Sequence, residues 1–260
     1  MPVEHLAPIL GISVASAALA YASAQDLRRR EVSDAVWIFS IPPSACLTAV
    51  WVASDPSGRL VPAALSVAAS TALAVLLNRF GLLGGADGKA VLLMGVSTPL
   101  RLWPPRLMPS TPFPPLSALL NGLTLAALLS IFNLASNLSR LLRGEELFRG
   151  VEGGLWLRLL AMAGGRRVRV SETDWSSYVP LEELRPGAGG AVRRLRLPAD
   201  VEGYEGLVDE LLSAVGPDGT VWATQGVPLI PFMLAGLALT MLVGDPVLAL
   251  SKALSSLLTA

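Results

Sequence analysis

The sequence predicts an all-α polytopic membrane protein of about six transmembrane helices, with a small cytoplasmic α+β insertion before the last helix. Three observations predict this class. The mean hydropathy is +0.57, and 52% of the 260 residues are apolar against 15% charged, a balance too apolar for a soluble domain of this length. The apolar residues are also segregated into stretches that approach the roughly 20 needed to cross a bilayer. From about Gly144 to Gln225 the pattern changes, with dense charge and short runs that alternate with period two. The chain therefore divides into residues 1–143 with the first five helices, 144–225 as the insertion, and 226–260 as the last helix and tail.

The first span runs from about Leu6 to Ala24 and closes on Asp26, Arg28, Arg29 and Arg30. Basic residues after the apolar run, with Glu4 before it, invert the order of a cleaved signal peptide. They also place that end in the cytoplasm. The second span, about Ala35 to Ala53, carries Pro42 and Pro43, which membrane helices accommodate as kinks. The chain turns at Asp55-Pro56-Ser57-Gly58 and returns through a third span, about Val61 to Leu77, which closes on Asn78 and Arg79. A glycine-rich hairpin follows, from Gly81 through Gly84, Gly85, Ala86, Asp87 and Gly88 to Lys89, so Asp26 and Asp87 fall on one side of the membrane. A short fourth span, about Ala90 to Trp103, leads to the proline-dense segment Pro104 to Pro115, which excludes regular helix. Arg101 and Arg106 at this external end are exceptions to the charge rule. The fifth span, about Leu116 to Leu138, ends at Arg140 and Arg143.

In the insertion, Arg166 to Val170 and Ala191 to Leu197 alternate as strands, Asp209 to Val215 reads as a short helix, and Val221 to Thr224 as a further strand. The last span is Leu229 to Val243, closed by Gly244-Asp245-Pro246, and a weakly amphipathic tail follows from Val247. Cys46 and the tryptophans Trp37, Trp51 and Trp103 read as packing and interfacial anchors.

Composition also restricts the chemistry. With 20 basic and 20 acidic residues the net charge is zero, so no global field draws nucleic acid. One cysteine, Cys46, excludes an internal disulfide and a multi-cysteine zinc site, and one histidine, His5 near the terminus, excludes histidine triads and His-rich metal sites. No metal or cofactor is expected.

Asp26 alone reads as an interfacial charge beside three arginines, and Asp87 alone as a helix N-cap. As a pair they carry more meaning, because ionisable residues at membrane depth are costly unless used. Two converging carboxyl groups cannot both ionise cheaply and share a proton. One can then activate water while the other polarises a carbonyl. The helix N-terminus favours the charged form of Asp87. Gly84, Gly85 and Gly88 would let a peptide backbone approach the acid and would permit unusual φ values, or they simply make a tight turn.

These residues resemble a known family. The segment Asp26-Leu27-Arg28-Arg29-Arg30-Glu31-Val32-Ser33-Asp34, followed by Gly84-Gly85-Ala86-Asp87, is similar to the two signature segments of the type IV prepilin peptidases, which are GxGD aspartyl proteases. It looks closest to the archaeal prepilin and preflagellin (prearchaellin) branch. Spacing, hydropathy profile and the segment Trp222 to Pro228 before the last span extend the likeness. Ala86 stands where the motif has its second glycine, a small-for-small exchange.

The resemblance implies an aspartic endopeptidase of the cytoplasmic membrane with Asp26 and Asp87 as its catalytic pair. Its substrates would be prepilin or prearchaellin precursors, whose short basic leader is removed on the cytoplasmic side ahead of a hydrophobic helix. Glu31, Asp34, Glu145, Glu146 and Glu152 are candidates, by location, for meeting that leader, and Lys89 for tuning Asp87 or snorkelling. The cysteines that accompany methylation in bacterial relatives are missing, so methyl transfer is not expected. The competing readings are a small transporter or ion-binding protein with a paired-carboxylate site, and a presenilin-type protease. No duplicated half supports the former, and the tyrosine-aspartate signature of the latter is missing.

Overall fold

The computed structural model describes residues 3–81, 84–101, 107–175, 178–187, 190–196 and 204–259. Leu82, Leu83, Trp103, Pro104, Arg106 and Leu197, which figure in the sequence reading, lie outside the described residues. The chain forms two compact units, Met1–Ala126 with Pro228–Ala260, and Ala127–Val227.

The first unit is helical: α1 (Val3–Arg29), α2 (Asp34–Ala53), α3 (Pro56–Arg79), α4 (Gly85–Ser97), the first part of α5 (Pro114–Leu142), α8 (Leu229–Leu242) and α9 (Pro246–Thr259). Among the described residues, four helices are long and apolar enough to cross a membrane: α1 from Leu6, α2, α3 and α5. Counting the bent pair α8 and α9, which meet at 66°, gives up to five. The six expected spans differ from this because α4 has only 13 residues, about 20 Å of helix. The first span is also longer than expected, since α1 continues past Asp26 to Arg29.

Local chemistry sets these boundaries. The Ser33 hydroxyl accepts the Ala35 N–H at the start of α2. Asp55 caps α3 through the Gly58 N–H, with Pro56 in the first turn, where its missing N–H costs nothing. Arg59 closes that end by donating to the Trp51 carbonyl at 3.0 Å and lying 4.9 Å from the Trp51 ring centre.

The short helix α4 is the core of the unit. Ala90, Val91, Leu93 and Met94 are all but fully buried and pack with Ala15, Leu19 and Ala22 of α1, Trp37 of α2, Ala74 of α3, and Ile230 and Met233 of α8. A helix apolar on every face is one surrounded by protein. The outer helices instead expose large apolar side chains such as Phe39 (78% exposed) and Val61 (65%), the pattern of a surface solvated by lipid. Trp37 and Trp51 are buried, whereas Cys46 is exposed. A second polar centre joins the loop after α4 to the elbow between α8 and α9. Buried Asp245 accepts the Thr111 N–H at 2.7 Å and the Ser117 hydroxyl at 2.9 Å, and Arg101 donates to the Thr240 carbonyl at 2.9 Å.

The second unit is the α+β region expected before the last helices. Its described residues form two three-stranded sheets. In one, β5 (Gly190–Leu195) lies between β1 (Val151–Glu152), parallel to it, and β4 (Glu182–Gly187), antiparallel. In the other, β6 (Thr220–Thr224) lies antiparallel between β2 (Arg166–Arg169) and β3 (Val179–Pro180). Helix α6 (Leu155–Gly164) was not foreseen, and α7 (Tyr204–Val215) starts five residues before the expected helix. Trp222 is fully buried, stacks on Phe148 at 5.0 Å and donates to the Leu147 carbonyl at 2.9 Å. Glu182, also fully buried, ties the sheets together: it accepts the Trp222 N–H at 2.6 Å and pairs with Arg193 at 2.7 Å.

Candidate active site

Asp26 and Asp87 lie in the same unit, at the same end of its bundle. Asp26 belongs to the last turn of α1, which extends the buried face Ala15, Leu19, Ala22 by one further step of four residues. The step keeps it on the side that packs against α4 and α8. Its carboxylate lies within hydrogen-bonding reach of the Ile230 N–H. Ile230 is in the first turn of α8, where N–H groups have no partner in their own helix, and Pro228 before it supplies no side-chain cap. Asp26 thus caps a helix distant in sequence, a role only the tertiary fold could assign.

The chain leaves α1 through Arg30, in the left-handed region at φ 57°, a conformation that costs a non-glycine residue roughly 1–2 kcal/mol. The Arg30 N–H closes the helix on the Asp26 carbonyl at 3.1 Å, and its guanidinium is near enough to bear electrostatically on the Asp26 carboxylate. Gln25 accepts the Ser33 N–H at 3.0 Å, which fixes the connection between α1 and α2. Sequence reasoning passed over Gln25, and a side-chain amide at a helix end was its only visible signal.

Asp87 stands in the first turn of α4 and accepts the Gly84 N–H at 3.1 Å. It precedes the apolar part of α4 and lies outside the four full-length spans. Burial pushes its carboxyl up to about 6, against the pull of the Gly84 N–H, and the negative charge of Asp26 adds to the rise. The sequence had suggested that the helix N-terminus would favour the charged form. Desolvation outweighs it, because the carboxyl is half-buried beside a second acid.

The glycines have plain geometry. Gly84, Gly85 and Gly88 adopt ordinary φ angles, and the positive φ of this segment falls at Gly81. A side chain on Gly84 would stand 3.2 Å from Asp87 Oδ2, one on Gly88 would make ordinary contacts with α3, and one on Gly85 would meet nothing within 4 Å. Only Gly84 is therefore closely constrained, by the acid itself.

Of the acidic residues near the pair, Asp34 is held by the Lys89 ammonium, which joins the start of α2 to the helix of Asp87. Lys89 thus turns to Asp34. Glu31 is exposed on the connection between α1 and α2. Glu145, Glu146 and Glu152 belong to the other unit, where Glu145 pairs with Arg140 at 2.8 Å and Glu146 with Arg149 at 3.2 Å. Among the described residues, no three His, Cys, Asp or Glu side chains gather as a metal-ligand set. Two half-buried carboxyl groups that sense each other, both at helix N-termini, can hold one proton between them. Such a pair is suited to activating water and to protonating a leaving group.

Two family models match the chain. That of the type IV leader peptidase family covers residues 13–142, and so both aspartates. A model described as archaeal Peptidase A24 C-terminus Type II covers residues 157–246. The chain is also 26% identical over 242 residues to a preflagellin peptidase of Methanococcus voltae, a match spanning 89% of this chain and 94% of that protein.

Proposed function

This chain belongs to the type IV leader peptidase family and is a peptidase, and from that premise we propose that Asp26 and Asp87 are its catalytic pair, cutting short basic leaders from prepilin- or preflagellin-like precursors. The observation that carries the proposal is the pairing itself: Asp87 is half-buried, raised to about 6, and sensitive to the charge of Asp26. With one proton on the pair, the ionised carboxylate takes a proton from water as the water oxygen attacks the scissile carbonyl carbon. The protonated carboxyl donates to the carbonyl oxygen. Collapse of the tetrahedral species breaks the C–N bond and transfers a proton to the departing nitrogen, leaving a new carboxylate on the leader and a new amine on the mature protein.

Arg28, Arg29 and Arg30 at the end of the first span support a cytoplasmic orientation for this end. Gly84, Gly85 and Gly88 leave room for a substrate backbone beside Asp87. Exposed Glu31 is the better candidate for a basic leader, because Asp34 is already paired with Lys89. Membership of a peptidase family sets the transporter reading aside.

The test is co-expression with a candidate precursor, following leader removal by the wild type, Asp26→Asn and Asp87→Asn at matched membrane insertion. Asparagine keeps an acceptor for the Ile230 or Gly84 N–H, so each variant should fold and fail to cleave. Processing by either variant at more than a hundredth of the wild-type rate overturns the pair.

A further inference from the structure

Helix α6 (Leu155–Gly164) is apolar where a helix facing water is polar. Trp156, Leu160 and Ala163 follow at intervals of four and three residues, so they share one face. Trp156 is 72% exposed, and Leu155 and Leu160 are exposed with it. The only charged residue of the helix, Arg158, stands about 200° round from Trp156. It lies 5.2 Å from the ring centre of Phe148, which packs on the core of the unit. Helix α7 shows the ordinary arrangement in the same unit, burying Val208 and Leu211 and exposing Asp209 and Glu210. The exposure is also localised. Among the described residues of 143–227, the exposed large apolar side chains are Leu155, Trp156 and Leu160 of α6, and Val227, two residues before the apolar helix α8.

What lies against this face follows from α5. The part of α5 within this unit, residues 127–142, ends a helix long and apolar enough to span the membrane, whose only charged residue is Arg140. The headgroup level therefore lies near Arg140. Asn137, a buried side chain, donates from its amide to the Met162 carbonyl at 2.8 Å and to the Gly165 carbonyl at 3.1 Å. Carbonyls at the end of a helix have no partner inside it, so this amide fastens the C-terminal end of α6 to α5. The attachment is three residues, or about 4.5 Å, before Arg140. Leu134, one turn deeper on α5, packs against the same core as Ala161 and Met162 of α6. On α5 itself, exposed Leu138, Leu141 and Leu142 carry an apolar surface to this level. The end of α6 is thus held where the lipid-facing surface of α5 gives out.

We propose that α6 is an interfacial helix, lying on the bilayer with Trp156 and Leu160 inserted among the headgroups and first acyl carbons, and so fixing the α+β unit to the membrane surface. Helices of this type sink about 5–10 Å into that boundary. The indole of Trp156, apolar over its body and a donor at its nitrogen, suits the headgroup level. The partner is the lipid surface itself, held through buried apolar area, so no particular headgroup is required. The inference stands apart from the assignment of Asp26 and Asp87.

The experiment uses the full chain, with Cys46 replaced by alanine, in vesicles of phosphatidylcholine. Trp156→Cys or Leu160→Cys, or Glu210→Cys on α7 as the water-facing control, carries a polarity-sensitive fluorophore. At the two α6 positions the emission should shift to the blue, and aqueous iodide should quench it about fivefold or more weakly than at Glu210→Cys. Lipids brominated near the headgroup end of the acyl chain should quench it, and should not quench the control. Iodide quenching equal to the control overturns the proposal. Protection that disappears when the protein is diluted in lipid, with no quenching by brominated lipid, also overturns it and assigns the face to a second copy of the chain. A measurement without labels checks the same point: in otherwise wild-type protein, Trp156→Phe should lower the share of tryptophan fluorescence that brominated lipid quenches. An unchanged share counts against the interfacial helix.

Discussion

Replacing Gly236 with alanine tests whether the seat of α8 controls the proposed catalytic pair. A methyl group there would lie 2.2 Å from the Ala118 carbonyl oxygen and 2.6 Å from the Gly122 nitrogen, both backbone atoms of α5. Neither can rotate away, and side chains essentially never approach closer than 3.0 Å, so the helices must part by about 0.8 Å at that level. Overpacking of this kind costs roughly 1–3 kcal/mol. The larger consequence is at Ile230, six residues or about 9 Å back along α8, whose N–H faces the Asp26 carboxylate. A displacement near 1 Å at a reacting group costs on the order of 100-fold in rate. The expected result for Gly236→Ala is a 10- to 100-fold fall in kcat/KM for precursor cleavage, with a lowered melting midpoint of the solubilised protein. Gly164→Ala is the control, since a methyl group there meets nothing within 4 Å. Activity within twofold of wild type and an unchanged midpoint for Gly236→Ala would refute the reasoning.

Two further outcomes follow from buried carboxyl groups. Asp87 holds its proton up to about pH 6, whereas its ordinary value is 3.8, so the folded state binds the proton more tightly than the unfolded chain. Stability should therefore decline as pH rises from about 4 to about 6 and level off above, and Asp87→Asn should flatten that slope in thermal melts across the range. In the other unit, Glu182→Ala strips the partner from Arg193 and from the Trp222 N–H, which should cost roughly 3–5 kcal/mol. Limited proteolysis within residues 127–227 and a shift in Trp222 fluorescence would report it, and wild-type resistance would show that the Glu182–Arg193 pair does not tie the sheets.

The membrane class was legible because it rests on composition and run length, which need no folded partner. The same holds for the ends of α2 and α3, where Ser33 and Asp55 cap N–H groups two and three residues away. The short α4 was overestimated as a span because apolar residues continue to Trp103, whereas helix ends at Ser97. Strand β4 was missed since Glu182-Glu183-Leu184-Arg185-Pro186-Gly187 has no alternating pattern; its register comes from pairing with β5, and Glu182 faces inward only because Arg193 and Trp222 meet it.

By itself the sequence determined the membrane class and the approximate limits of α1, α2, α3 and α5, the α+β region, and the two aspartates as candidates, since each follows from chemistry within a few residues. Tertiary structure alone decided that α4 is the buried centre, that Asp26 caps α8, and that Lys89 takes Asp34. The capping of α8, the Lys89–Asp34 pair and the burial of α4 join residues far apart along the chain, and their energies arise from burial and close contact, which exist only once the helices have packed.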